Sequence, residues 1–303
     1  LADRGFSWLT LVCGLLVLVV LALIALSTTG QALPAFRHAG IGFLVSTDWN
    51  PPAGHFGALA FIYGTLVIST IAITLAVPVS IGIALFLTEM APRRLRQPVS
   101  YLMDLLAAVP SVVFGLWGIL VLSGALQKPY GDVSRALGGL PVVGVLFGGP
   151  VNGRSLFTAG LILALMVTPI ITSITREVFQ TVPAGQREGA LALGATRWEM
   201  IRGAVLPHGR TAVVGAVMLG LGRAMGETIA VALVIGSSPQ VTAHLFGSGD
   251  AMPAVIANQF GEANGLYRAA LIGLGVALFA ITILVNLAAR AVTRRGGLRV
   301  AST

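Results

Sequence analysis

Six stretches of the chain are apolar for long enough to cross a bilayer, and polar or turn-forming residues separate them. They run from Phe6 to Thr28, Gly64 to Leu87, Tyr101 to Ser123, Leu156 to Ile174, Thr211 to Gly236 and Ala269 to Ala289. At about 1.5 Å of rise per helical residue, each matches a hydrocarbon layer of about 30 Å. Within these runs apolar and polar residues do not alternate as they would in the strands of a membrane barrel. The expected fold class is therefore all-α, a polytopic membrane protein with six transmembrane helices. Pro78, Pro110 and Pro169 fall inside the second, third and fourth runs. Each removes a backbone donor and bends its helix, which suits either a cavity with moving parts or simple packing.

The segments between the runs carry their own signals. Residues 46–65, "STDWNPPAGHFGALAFIYGT", mix aromatic and turn residues as an interfacial segment does. Residues 124–155 are rich in Gly and Pro and read as loop, with a short re-entrant piece at "LPVVGVLFGG". The longest segment, residues 176–210, reads as two short helices. Pro183 suits the first turn of the first helix, and Gly194 suits a left-handed end. Thr196 and Glu199 form a T-x-x-E capping box for the second, which should stop near Leu206 because Pro207 follows.

Composition agrees with this pattern. Of 303 residues, 56% are hydrophobic and 10% charged, with a mean hydropathy of +0.91, which identifies an integral membrane protein. The formal charge of +8 comes from 18 arginines and one lysine, Lys128, against 11 acids. With the N-terminus in the cytoplasm, 13 of these cations fall inside and 5 outside (Arg37, Lys128, Arg135, Arg154 and Arg268), while Arg223 lies within a run. The positive-inside rule then accounts for the basicity without nucleic acid and puts both termini in the cytoplasm. Cys13 is the single cysteine, so no internal disulfide can form. The chain begins at Leu1, and residues preceding it are expected. No H-E-x-x-H or G-x-S-x-G pattern is present, so no catalytic residue and no metal site is assigned, and an intramembrane enzyme is disfavoured.

Two charges in the fifth run are the strongest anomaly. Arg223 stands near the expected bilayer midplane, and Glu227 follows four residues later, on the same face of a continuous helix. Each costs about 2.5–3.5 kcal/mol at a helix centre on insertion scales. Two readings compete. The pair holds helices together as an ion pair facing the bundle interior, or Arg223 faces the path of an anion that Glu227 helps to place. A forked guanidinium reaches two oxygens of a tetrahedral oxyanion at once. Gly222 and Gly226 form a small-xxx-small step beside the pair. Ser111, Thr168 and Thr172 are polar groups near run interiors, either lining such a route or satisfied by their own backbone.

Several of these residues carry a family resemblance. Glu188, Ala190, Gly194, Leu206 and Pro207 match the EAA loop of ABC-importer permeases: E-A-A, three residues, G, nine residues, I-x-L-P. The chain departs from that pattern at Gly189 and Ala204. With "GLGRAMGETIAV" in the fifth run and "LLAAVPSVVFGLWG" in the third, the chain resembles the membrane subunits of the bacterial phosphate-specific ABC importer. The stretch "DWNPPAGHFGALAFIYGTL" is closer to the PstC type than to the PstA type. The resemblance implies the type I importer (MetI-like) permease fold, with a first helix and periplasmic segment over 1–63, a permease domain over 64–290, its coupling loop at 183–207, and a cytoplasmic tail over 291–303. It implies substrate translocation by Arg223 and Glu227, and ATPase coupling through Glu188, Ala190, Gly194, Leu206 and Pro207.

The partners implied are a homologous PstA-type permease, two copies of a PstB-type ATP-binding subunit and a periplasmic or lipid-anchored PstS-type phosphate-binding protein, in the lipid of a bacterial inner membrane. ATP and Mg would act on the ATP-binding subunit, leaving this chain without a cofactor. Lys128, the only lysine, stands in "ALQKPYG", which is no Walker A loop, so ATP hydrolysis is not expected here. A permease for sulfate or molybdate is the nearest alternative, and a stand-alone ion-coupled carrier a more distant one.

Overall fold

A computed structural model describes residues 2–141 and 143–297. Among them, six helices are long and apolar enough to cross a membrane. The first is Ala2–Ala39 and the second Leu59–Met90; the third is Ser111–Leu137 and the fourth Leu156–Gln180. The fifth is Arg197–Gly226 and the sixth Gly265–Gly297. The count agrees with the hydrophobic pattern, but two of the spans, the third and the fifth, do not lie where that pattern puts them. Of the expected tail, residues 291–297 continue the sixth helix, and residues 298–303, Arg299 included, lie outside the described residues.

The third span is displaced. Tyr101–Ser123 is not one helix: an amphipathic helix, Arg93–Ala108, ends at Val109, whose extended backbone is what a residue before proline adopts. Pro110, also extended, caps the new helix that starts at Ser111, so it separates two helices instead of bending one. That helix then runs through the expected loop to Leu137, carrying Lys128 and Arg135, and accommodates Pro129 on the way. Of the expected 124–155 loop, the segment after Leu137 remains irregular, with a short helix at Val143–Phe147 where the re-entrant piece is expected.

The fifth span differs at both ends. Its helix does not stop near Leu206, because the chain widens into a π turn over Ile201–Val205, where the Leu206 N–H donates to the Ile201 carbonyl. Pro207 has no N–H, and its ring would crowd the carbonyl four residues back. The extra residue in the turn makes room, and the helix continues. At the other end the helix stops at Gly226, Glu227 is extended (φ −70°, ψ 126°), and a separate helix covers Ile229–Val234.

The fourth span is the centre of the bundle. Its Leu156, Ile162, Leu163, Val167 and Ile171 are buried against Ile68, Ala72 and Ala76 of the second span and Ala216 and Ala224 of the fifth. In lipid, helix association depends on close packing. Gly220 provides it, since a Cβ there would stand 2.7 Å from Ile171 Cδ1. The first span packs on the sixth through its second half, and every large apolar side chain from Phe6 to Leu26 is exposed.

A second cluster closes the end where the second span begins. Trp49–Asn50 pairs antiparallel with His55–Phe56, and the Trp49 ring meets Phe56 and Phe61 edge-on at 5.4 and 5.0 Å. Its indole N–H donates to Gln259 Oε1 at 3.1 Å. This is the aromatic, turn-rich segment expected at an interface. A third cluster, formed by Ala84, Phe179, Val182, Met200, Ile201 and Val205, lies under the 183–207 loop at the opposite, arginine-rich end.

Candidate functional site

The corner of the 183–207 segment, from Gly194 to the Thr196–Glu199 box, folds locally as its punctuation requires. The first helix is Ala184–Ala192, with Pro183 as its N-cap instead of within its first turn. Gly194 is left-handed (φ +85°), and its N–H closes on the Leu191 carbonyl at 3.0 Å. The capping box is complete: Thr196 Oγ1 accepts from the Glu199 N–H, while the Glu199 carboxylate accepts from the Thr196 N–H at 2.7 Å. Glu188, Gly194 and Pro207 are exposed, whereas Ala190 and Leu206 are half-buried against the cluster beneath. Leu193 is 91% exposed and Trp198 61%, so the corner presents apolar side chains outward.

One anchor of this loop was not legible from its sequence. Arg187 donates to the carbonyls of Phe179 at 2.6 Å and Val182 at 2.8 Å, and to Glu89 Oε1 at 2.9 Å. The loop is thereby tied to the last turns of both the fourth and second spans. No local pattern links Arg187 to Glu89, since 98 positions separate them.

Arg223 and Glu227 do not share a helix face. Arg223 sits in the last turn of its helix, where the negative pole favours a cation, and it is exposed. Glu227 lies past the helix end, and its Oε1 accepts the Ala230 N–H at 3.4 Å, within the first turn of the next helix. The carboxylate is thus at a positive pole. Among the described residues the two form no ion pair with each other. The intrahelical clamp is therefore corrected: each charge is matched to the end of a different helix, and the break between them makes this possible. Irregular backbone at membrane depth is tolerated where it lines a cavity or is buried in protein.

Such a cavity is present. Arg223 lines a volume of about 1270 Å³ with Gly222 and Met218 of its own span, Ile170 of the fourth, and Ile283, Asn286 and Arg290 of the sixth. It extends from Arg223 toward the arginine-rich end of the bundle. A Cβ on Gly222 or Gly226 would meet nothing within 4 Å, so among the described residues no helix uses their small-xxx-small step. None of Ser111, Thr168 and Thr172 lines this cavity. Ser111 is half-buried at the start of the third span. Thr168 Oγ1 donates to the Ala164 carbonyl of its own helix at 2.7 Å. Thr172 is buried in the bundle, and its hydroxyl has no partner among the described residues.

Comparison with known proteins places these features in context. The family described as binding-protein-dependent transport system inner membrane component matches residues 76–296. The phosphate transport system permease protein PstC of Xylella fastidiosa (strain 9a5c) is 47% identical, covering 95% of this chain and 90% of that one. The corresponding protein of Haemophilus influenzae is 44% identical over 95% and 92%. PstC 2 of Mycobacterium tuberculosis is 43% identical over 96% and 91%. A chain of a bacterial ABC transporter that imports the acidic polysaccharide alginate superposes with a TM-score of 0.62 at 18% identity, over 97% of each chain. One of the inward-facing MetNI methionine transporter gives 0.55 at 19% identity, over 77% of this chain and 93% of that one. These structural matches carry the fold alone.

Proposed function

This chain belongs to the family of binding-protein-dependent transport system inner membrane components, and from that footing we propose that it is a permease subunit of an ATP-driven phosphate importer. It pairs with a homologous permease in a bacterial inner membrane, with both termini in the cytoplasm. Two ATP-binding subunits grip the 183–207 loop through Glu188, Ala190, Gly194, Leu206 and Pro207. A phosphate-binding protein delivers the ion on the opposite side. ATP and Mg act on the ATP-binding subunits, and this chain moves the ion without bond-making chemistry. The carrying observation is the exposed Arg223 guanidinium in a cavity at the end of a broken span, in a chain 47% identical to a phosphate permease.

Arg223 offers forked donors to the passing anion. Glu227 shapes the wall of the route by holding the break open, capping the Ile229–Val234 helix. Arg223→Gln in the reconstituted importer should assemble with its partners and lose uptake of labelled phosphate. Arg223→Lys should be markedly impaired as well. Normal transport by Arg223→Gln would move the route elsewhere. Competition by sulfate or molybdate in place of phosphate would reassign the substrate to another oxyanion.

A further inference from the structure

A second cavity lies at the other end of the broken span. It has a volume of about 870 Å³ and is lined by residues that include Asn152, Gly236, Ser237, Ser238, Gln240 and His244. Along the chain, only residues 224–235 separate its rim from Arg223 and the first cavity. Its lining contains hydroxyls, amides and an imidazole but no carboxylate, so nothing in the wall repels an anion.

The backbone at its rim is built differently from an ordinary helix end. Ile235 is right-handed (φ −80°, ψ −21°), Gly236 is left-handed (φ +94°), and Ser237 is left-handed again (φ +49°). A right-handed residue followed by a left-handed one turns successive N–H groups toward a common point, the geometry of an anion-binding nest. At Gly194, the comparable left-handed glycine, the N–H closes back on its own helix. At Gly236 and Ser237 the N–H groups meet no acceptor among the described residues. Ser237 is also the one non-glycine residue with positive φ among them, a strained conformation of the sort kept at ligand clamps.

The side chains repeat the pattern. The hydroxyls of Ser237 and Ser238 and the amide of Gln240 make no hydrogen bond among the described residues, although Asn152 and Ser248 beside them are engaged with each other at 2.8 Å. His244 Nδ1 is buried and has no partner among the described residues. We infer that this cavity is a reception site for a tetrahedral oxyanion, which the Gly236–Ser237 N–H groups and the Ser237 and Ser238 hydroxyls hold before it reaches Arg223. Neutral donors hold a phosphate by many modest hydrogen bonds without a fixed counter-charge, so the ion can leave again. The inference rests on the phosphate-import reading and adds a second station to it.

The test uses the purified importer in lipid nanodiscs without its binding protein, and measures equilibrium binding of ³²P-labelled inorganic phosphate. The variant is Ser237→Gly with Ser238→Ala: glycine relieves the strain at Ser237 and preserves the turn, so folding is safeguarded. Losing two hydrogen bonds to a charged ligand should weaken binding roughly tenfold or more, with co-purification and melting unchanged. The comparison is made in an Arg223→Gln background, which silences the first cavity, so that the binding read is that of the second. Unaltered binding by the double variant, or no binding at all in the Arg223→Gln background, overturns the inference. So does a double variant that binds phosphate normally but no longer responds to the binding protein, which would make the cavity a protein-docking surface. A wild-type complex that neither binds nor transports phosphate removes the import reading itself, and the inference falls with it.

Discussion

The Arg187 guanidinium meets the Glu89 carboxylate at 2.9 Å and so joins the Ala184–Ala192 helix to the π turn that ends the second span. The Glu89 side chain is only 8% exposed, and the same guanidinium also satisfies two carbonyls at the end of the fourth span. Arg187→Ala therefore strands a nearly buried carboxylate and the Val182 carbonyl, while the Phe179 carbonyl keeps the Thr181 and Val182 N–H groups. Because Arg187 itself is partly exposed, the cost should be about 1–3 kcal/mol, below that of breaking a fully buried pair. Thermal melting of the complex reads this. ATP hydrolysis should also lose its dependence on phosphate delivery, because the loop is no longer held to the spans. A variant with wild-type melting and coupling would show that the contact is incidental.

Gly194 holds φ +85° with open space around it, since a Cβ there would meet nothing within 4 Å. Substitution is thus penalised by backbone conformation and not by collision. Gly194→Val should cost about 1–2 kcal/mol or more and disturb the corner, while Gly194→Asn should be nearly neutral, because asparagine visits the left-handed region. Copurification with the ATP-binding subunit separates the two. Equal loss in both would point to a clash with a docked partner.

Asp250, 5% exposed, has its carboxyl pushed up to about 6 by burial, which the hydrogen bond from the Ala251 N–H only partly offsets. The native state then holds the proton more tightly than the unfolded chain. Its stabilising contribution is complete below pH 4 and is lost as pH rises through 6. Asp250→Asn removes the charge and keeps an acceptor for Ala251. The variant should melt higher at pH 7, by the equivalent of about 2–3 kcal/mol, with the advantage fading toward pH 4. A constant difference across that range would count against the protonation argument.

Val241, 48% exposed between the fifth and sixth spans, tests orientation. Ser248 would be a poor reporter there, because its hydroxyl donates to the Arg154 carbonyl and accepts from Asn152. With Cys13 replaced by serine, Val241→Cys should react with an impermeant thiol reagent added outside intact cells. Labelling only after the membrane is disrupted would invert the assigned topology.

The hydrophobic pattern was enough to count the spans because each stretch must cover about 30 Å of hydrocarbon, whatever its neighbours do. Local punctuation was equally readable where a single residue decides the geometry, as at Gly194 and the Thr196–Glu199 box. Prolines were less so. Pro110 separates two helices, Pro129 is carried inside one, and Pro207 is absorbed by a π turn. Which of these happens depends on neighbouring carbonyls and on packing, neither visible in the chain. The break at Glu227 was hidden for a related reason: "GETIAV" has no proline, and its glutamate caps a helix that only the folded chain reveals. The Arg187–Glu89 contact depends on tertiary proximity alone.

The π turn before Pro207 has a mechanical consequence. Because it carries the helix through the proline, Arg197–Gly226 is one continuous rod of 30 residues. Trp198, on the exposed corner, and Arg223, in the cavity, ride on the same lever arm, about 38 Å apart along its axis. A tilt of about 10° pivoting at the Trp198 end would swing the Arg223 end sideways by about 6–7 Å, more than one helical turn. Had the helix stopped at Leu206, that stroke would have been dissipated in a hinge.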